Sequence, residues 1–114
     1  MPILYKIVAA AHWQAAKHDG VFRGSADDLR DGFIHFSTAA QVEETAAKHF
    51  AGQADLLLLA VDDAWFGAAL KWEPSRGGAL FPHLYGELSI AAVSKVEPLP
   101  LGPDGRHRFP PLAR

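Results

Sequence analysis

The chain contains no cysteine, and this absence excludes several classes of chemistry. Disulfide bonds, thiolate nucleophiles, thiolate zinc sites and iron–sulfur clusters all require a cysteine sulfur. Long hydrophobic runs are missing as well, because the longest one, residues 56–61, is far shorter than the ~20 residues that span a bilayer. The N-terminus carries no signal-peptide pattern. We therefore expect a cytoplasmic protein that does not enter a membrane.

Positive charge is not in excess either. The formal net charge is −2 and the isoelectric point is about 6.3. The chain as a whole therefore has no positive field that would attract nucleic acid or an anionic membrane. The aromatic residues Trp65, Trp72, Phe81 and Tyr85 have few cations near them in sequence, whereas base stacking favours aromatics interleaved with Lys and Arg. Nucleic acid is not the expected partner, and the sequence is silent on oligomeric state.

Short strand patterns and two helix patterns make up most of the 114 residues. Because they do not alternate strictly, they predict a single α+β domain over residues 1–97. The proline-rich segment 98–114 is expected to be a tail that lies on or off this domain. Strand patterns cover residues 3–8, 33–37, 56–61, 69–73 and 94–97, the type of 88–93 stays open, and helix patterns cover 9–19 and 39–50. Ser25, Asp27 and Asp28 are residues that would cap a short helical turn.

The segment 32–37, Gly-Phe-Ile-His-Phe-Ser, is the first candidate for chemistry. On a strand, His35 and Ser37 share one face, and Ile34 and Phe36 share the other. Thr38 then begins a capping-box pattern, so Ser37 and Thr38 lie at a helix N-terminus, where free N–H groups attract anions. This combination suits a phosphate or the ribose of a nucleotide. The alternative is structural: a satisfied half-buried histidine beside residues that only cap the helix.

The segment 81–86, Phe-Pro-His-Leu-Tyr-Gly, is the second candidate. Its His83 and Tyr85 would close the opposite side of a groove, and Arg76 upstream would offer a guanidinium to an anion. Glu73 beside a groove histidine would act as a general base or a ribose ligand. The alternatives are a proline-bent turn with buried aromatics and, for Lys71 with Glu73, the solvated face of an edge strand.

Metal and nucleoside-triphosphate motifs are missing from the sequence. The six histidines show neither His-x-His nor His-x₃-His spacing. There is no P-loop and no Gly-x-Gly-x-x-Gly. No metal site is predicted and no resident cofactor is required.

The segments 32–37 and 81–86, together with residues 56–62 and Trp72-Glu73, resemble the bacterial domain-of-unknown-function family 952. The resemblance extends over residues 3 to about 97. A more distant resemblance connects the chain with the RNA 2′-phosphotransferases, which share the ADP-ribosyltransferase fold and use NAD. Leu4-Tyr5, His35-x-Ser37 and residues 57–62 match their motifs. Two departures stand at the opening motif, where Lys6 replaces a histidine and Ile7 replaces a glycine that would admit the adenosine half of NAD.

The resemblance implies two small, mostly antiparallel sheets around a cleft, with two main helices. It places the cleft between the strand of His35 and Ser37 and the segment of His83 and Tyr85. The expected ligand is a nucleotide, an NAD-like molecule or another phosphorylated small molecule. The catalytic candidates are His35, Glu73 and His83, and the ligand-binding candidates are Lys6, Ser37, Thr38, Arg76 and Tyr85.

Two functions stay open at this point. The histidine motifs favour an enzyme, a transferase that acts on NAD or a nucleotide. Lys6 and Ile7 favour a non-catalytic module that uses the same cleft for a metabolite or a protein. The later catalytic position of the phosphotransferases matches none of Glu73, Arg76 and His83 uniquely.

Overall fold

The computed structural model describes residues 2–113, except for the side chain of Arg76. Over this range the chain forms three α-helices, α1 (Ala10–Asp19), α2 (Ala26–Asp31) and α3 (Val42–His49). None of these helices is long and apolar enough to cross a membrane. Helix α1 ends at Gly20, whose left-handed conformation, with φ of 87°, suits a residue without a Cβ.

Eight strands form three antiparallel sheets within the described residues. The strands are β1 (Ile3–Ala9), β2 (Val21–Phe22), β3 (Ile34–His35), β4 (Leu56–Asp62), β5 (Leu70–Pro74), β6 (Leu80–Leu84), β7 (Leu88–Ser89) and β8 (Val93–Leu99). Their orders are β1-β4-β8, β2-β7 and β3-β6-β5. The mixed architecture confirms the α+β class, with one sheet and one helix more than the sequence predicts.

Strand β4 lies at the centre of the first sheet, as its continuous apolar sequence predicts. Two hydrophobic clusters flank this sheet. One contains Leu4 and Val8 of β1 together with Ile34 and Phe36, and the other contains Tyr5 and Ile7 of β1 together with Val42 of α3. The two faces of β1 therefore pack into different hydrophobic clusters, and this fixes the position of the strand between them.

The third sheet brings the two candidate segments side by side. Strand β3 pairs with β6 so that His35 is opposite His83. Strand β5 pairs with the other edge of β6, with Lys71 opposite His83 and Glu73 opposite Phe81. A bridge between Tyr5 and Ser37, with both backbone hydrogen bonds at 2.8 and 2.9 Å, joins this region to β1.

Three local differences from the expected elements have simple causes. The capped turn at Ser25 is a full helix, α2, because Ser25 and Asp28 form a capping box. Helix α3 starts at Val42 and not at 39, because residues 39–41 form a turn before it. The additional sheet, β2-β7, has strands of two residues each, which are too short to show a periodicity.

The proline-rich segment lies on the domain. Strand β8 runs past Pro98 to the buried Leu99. Beyond it Phe109 and Leu112 pack against the cluster that contains Tyr5. The backbone N–H of Ala113 donates to the Tyr5 hydroxyl at 2.7 Å. None of the described residues from 98 onward is among those that line the cavity described next.

Candidate functional site

A cavity of about 240 Å³ opens between β1, α2, β3, α3 and β6. Its polar lining includes Lys6, Asp28, His35, Ser37 and His83. The five come from four separate parts of the chain, so the cavity exists only in the folded domain.

Asp28 is the centre of the polar network on one wall. Its carboxylate lies 3.0 and 2.9 Å from Lys6 Nζ and accepts the backbone N–H groups of His35 and Ser25, at 3.1 and 2.9 Å. The side chains of Lys6 and Asp28 are 7% and 1% exposed. Gly24 makes this packing possible, since a Cβ at that position would come within 2.8 Å of the Asp28 Cβ. A buried carboxylate with this many donors is held in one orientation.

Opposing effects set the ionisation of this pair. Burial alone would raise the pKa of Asp28, but the hydrogen bond with His35 and the charge of Lys6 outweigh it and hold that pKa well below its ordinary value. Burial lowers the pKa of Lys6, and Asp28 acts in the opposite direction. We conclude that Asp28 is a carboxylate whose charge is matched by its neighbours.

His35 lies between two carboxylates. Its Nδ1 is 2.7 Å from Asp28 Oδ1, and its Nε2 is 3.0 Å from Asp31 Oδ2. A neutral imidazole carries one N–H, so only the imidazolium donates to both carboxylates at once. Arg30 also binds Asp31 and is the main reason that the pKa of Asp31 lies below its usual range.

His83 is bound by a different carboxylate, that of Glu73 on strand β5. Its Nδ1 lies 2.8 Å from Glu73 Oε1, and the Tyr85 hydroxyl donates to the same oxygen at 2.7 Å. The Tyr85 and His83 hydrogen bonds lower the pKa of Glu73, and Glu73 in turn raises the pKa of Tyr85. When Nδ1 donates to Glu73, Nε2 is the acceptor nitrogen of the ring.

Phe33 joins the two histidines into one aromatic cluster. Its ring stacks on His83 with centroids 4.0 Å apart and an interplanar angle of 22°. It also lies 4.6 Å from the His35 ring and 5.3 Å from the Tyr85 ring. The two imidazoles are 5.5 Å apart and meet edge to face. This packing restricts both rings to one orientation.

The polar groups just before α3 are hydrogen-bonded to other groups of the chain. Thr38 N–H donates to Gln41 Oε1 at 3.1 Å, and Ser37 Oγ hydrogen-bonds to Thr45 Oγ1 at 3.0 Å. Glu43 and Glu44 follow in the first turn. The Thr38 N–H and the Ser37 hydroxyl are therefore already bonded within the chain, and two glutamates add negative charge to this helix end.

The structure brings together Lys6, His35, Ser37 and His83 of the predicted site residues. Glu73 hydrogen-bonds to His83, and Tyr85, directly after β6, is 42% exposed. Thr38 is not among the described residues that line the cavity. The side chain of Arg76 lies outside the described part of the structure.

Sequence reasoning missed Asp28, Asp31, Phe33 and Thr45 as site residues. The first two were visible only as part of an acidic segment beside Ser25, which is typical of a helix start. The contact between Asp31 and His35 has no helical spacing to reveal it either, because Asp31 ends α2 and His35 lies on β3. Phe33 and Thr45 carry no signal in the sequence beyond their positions near His35 and Ser37.

A metal centre is not formed by the described residues, among which no group of three or more His, Asp or Glu could hold an ion. The site therefore consists of two carboxylate-bound histidines, a buried ion pair and a small cavity between them.

Comparisons with known proteins agree on the relationship of the chain. The family model described as "Protein of unknown function (DUF952)" matches residues 7–96. The chain is similar to the crystal structure of protein CC0527 from Caulobacter crescentus, with 54% identity, a TM-score of 0.90 and 93% of each chain covered. The solution NMR structure of CC0527 gives 55% identity and a TM-score of 0.84, over 93% of this chain and 91% of that one. No curated protein matches the chain.

Proposed function

Because the chain belongs to the DUF952 family, whose description leaves its activity open, we propose a function from the site itself. The cavity binds a nucleotide, an NAD-like molecule or another phosphorylated small ligand that carries a ribose, and His35 and His83 exchange protons with it. The ADP-ribosyltransferase type of fold, which the distant resemblance implies, is part of this proposal.

One observation carries the proposal: two histidines line the same cavity, and each is held through Nδ1 by its own carboxylate. A carboxylate on one ring nitrogen fixes the tautomer and the orientation of the other nitrogen. Proton transfer requires such positioned groups within hydrogen-bond reach of the ligand or one water away. The rings of His35 and His83 are 5.5 Å apart, so a ligand group that reaches one ring lies near the other.

The two histidines differ in what they can do. His35 contacts carboxylates with both nitrogens, so it can give a proton to a ligand only through Nε2, where the ligand replaces the half-exposed Asp31 as the partner. His83 donates Nδ1–H to Glu73, so its Nε2 is the proton acceptor.

A second function uses the same cavity without chemistry. The side chain of Ile7 lies in the lining, where it narrows the approach of an adenosine to β1. The ammonium of Lys6 is held by Asp28. These contacts favour a non-catalytic module that binds a metabolite or a protein partner.

Thermal-shift titration with NAD, ADP-ribose, nucleoside phosphates and inorganic phosphate tests the binding proposal. A ligand at 100 times its Kd stabilises the folded protein by about 2.7 kcal/mol. His35→Asn and His83→Asn each keep an N–H for the neighbouring carboxylate and remove the second ring nitrogen, and His18→Ala, on an exposed helix face, is the control. We expect a shift with at least one ribose-bearing compound that both Asn variants weaken.

Chromatography of the bound compound then separates the two functions. An enzyme converts it, and His83→Asn abolishes the conversion while some binding stays. A compound that binds and is recovered unchanged would identify the protein as the non-catalytic binding module. Flat titration curves for every compound would contradict the ribose-ligand proposal.

A further inference from the structure

We infer that the cavity recognises the sugar of its ligand and not the phosphate, so that an unphosphorylated riboside binds as tightly as the corresponding nucleotide. This inference rests on the proposed function and narrows it to one part of the ligand.

The charges that line the cavity give the first argument. Its described cations are Lys6 and Arg30, against the carboxylates of Asp27, Asp28 and Asp31. Lys6 lies within 3.0 Å of Asp28, and Arg30 is bound to Asp27 at 3.2 Å and to Asp31 at 3.0 Å. Each of these cations is therefore neutralised by a carboxylate of the same wall. A phosphate with a charge of about −2 would have to displace one of those carboxylates.

The N-terminus of α3, which lies beside the cavity, gives the second argument. Its first N–H groups are the usual site for a phosphate. Here the N–H of Val42, the first residue of α3, already donates to the Thr38 carbonyl at 3.0 Å, and Glu43 and Glu44 add negative charge to the first turn. These groups make this end of α3 a poor site for a phosphate.

The groups that remain suit hydroxyls. Asp31 is 33% exposed at its side chain and presents carboxylate oxygen, which accepts hydrogen bonds from sugar hydroxyls. The Nε2 of His83 is a second acceptor when Nδ1 donates to Glu73, whereas both nitrogens of His35 already contact carboxylates. A diol whose two hydroxyls donate to these two acceptors matches this set.

The size of the cavity agrees with a sugar-sized occupant. Its volume of about 240 Å³ is below the roughly 300–1,000 Å³ of pockets that enclose drug-sized ligands. A riboside fills such a space with its sugar, whereas the pyrophosphate and second nucleoside of a dinucleotide would lie outside it.

Isothermal titration with matched compounds tests the inference. The probes are adenosine, AMP and 2′,3′-dideoxyadenosine, and the pair nicotinamide riboside and nicotinamide mononucleotide repeats the comparison with a cationic base. We expect the Kd of each riboside to be within about threefold of that of its nucleotide, and the dideoxy compound to bind about tenfold or more weakly.

Each possible result decides between the claims. Binding of AMP about tenfold or more tightly than adenosine would overturn the inference and leave the proposed function intact. Equal binding of adenosine and its dideoxy analogue would overturn it too, since the hydroxyls would then be unused. No binding of any riboside or nucleotide would contradict both claims.

A charge variant gives an independent measurement. Asp31→Asn removes one carboxylate from the wall, and we expect it to raise the affinity for AMP relative to adenosine by about threefold or more. Asp19→Asn is the matched control, because Asp19 is an exposed aspartate paired with Arg23 outside the cavity. If the affinity for AMP relative to adenosine is the same in Asp31→Asn and in the wild type, this result would count against the inference.

Discussion

His35 and His83 are directly opposite each other across the β3-β6 pair, and their rings meet edge to face with centroids 5.5 Å apart. Their supports come from different elements. Helix α2 supplies Asp28 to His35, and strand β5 supplies Glu73 to His83. Because the two supports share no residue, each can be removed without touching the other, and the resulting effects separate the two halves of the site.

The buried ion pair between Lys6 and Asp28 makes the first prediction. Lys6→Met leaves the Asp28 carboxylate buried without its cation, so we expect the free energy of unfolding to fall by about 3 kcal/mol. Urea denaturation at neutral pH measures this loss. The remaining contact with His35 keeps it at the low end of the range for broken buried pairs.

Arg23→Met is the control for that variant. Arg23 binds Asp19 and Glu87 at an exposed position, where an ion pair contributes about 1 kcal/mol or less. The double variant Lys6→Met with Asp28→Leu removes both charges and is expected to recover part of the loss. A loss in Lys6→Met no larger than that in Arg23→Met would contradict the prediction.

The dependence of stability on pH follows from the carboxylates of the site. The folded-state pKa values of Asp28, Asp31 and Glu73 lie below their ordinary values. Groups of this kind stabilise the fold above their unfolded pKa and lose that contribution as the pH falls toward the folded pKa. We therefore expect the urea midpoint to fall once the pH drops below about 4.

Two variants test which carboxylate causes this loss of stability at low pH. Asp28→Asn lowers stability at neutral pH, because Lys6 loses its partner, but its midpoint falls less steeply between pH 4 and pH 2. Asp104→Asn is the control, since Asp104 is an exposed aspartate of the proline-rich segment whose pKa is also lowered. A wild-type midpoint that stays constant down to pH 2 would be the opposite of what the structure predicts.

The sequence was informative where periodicity decides the outcome. Alternation along 33–37 predicts that Ile34 and Phe36 enter the core, and both are buried, at 1% and 2% exposure. It therefore also orients His35 and Ser37 toward the opposite side, where both line the cavity. The central position of β4 follows in the same way from its continuous apolar residues.

The rest of the site depends on contacts between distant segments. Asp28 and Lys6 are 22 positions apart, and nothing in the spacing of a strand lysine and a helix-capping aspartate predicts that they meet. The same holds for the hydrogen bond between Tyr5 and Ala113, which are 108 positions apart. Local patterns reveal the face on which a side chain lies, but the partner across the core is set by tertiary packing.

The contact between Glu73 and Tyr85 makes the third prediction. Glu73 raises the pKa of Tyr85, because the phenol donates to a carboxylate that would repel the phenolate. Glu73→Gln is therefore expected to lower the Tyr85 pKa toward its ordinary value of about 10. Absorbance of the phenolate in an alkaline titration measures it.

A Tyr5→Phe background makes that titration unambiguous, since the chain has two tyrosines. Lys71→Gln is a useful comparison, because Lys71 Nζ lies 5.7 Å from the Tyr85 ring and its removal should not lower that pKa. The same Tyr85 pKa with and without the Glu73 carboxylate would mean that the hydrogen bond does not form in solution.

The hydrogen bond between Ser37 and Thr45 makes the fourth prediction, and it separates a structural from a ligand-binding serine. Ser37 is 4% exposed, and its hydroxyl is 3.0 Å from that of Thr45. Ser37→Ala should lower the free energy of unfolding by about 1 kcal/mol, because the Thr45 hydroxyl loses a buried partner. Riboside affinity should change by less than about threefold, since the serine oxygen is directed at Thr45.

A double-mutant cycle with Thr45→Val completes the argument. Both single variants break the same hydrogen bond, so their effects on stability should not add, and the coupling should be about 0.5–1 kcal/mol. Additive losses would show that the hydroxyls are independent in solution. Ser37→Ala that keeps full stability but loses ligand affinity would assign the hydroxyl to the ligand, and the opening of α3 would then have to be considered as a phosphate site again.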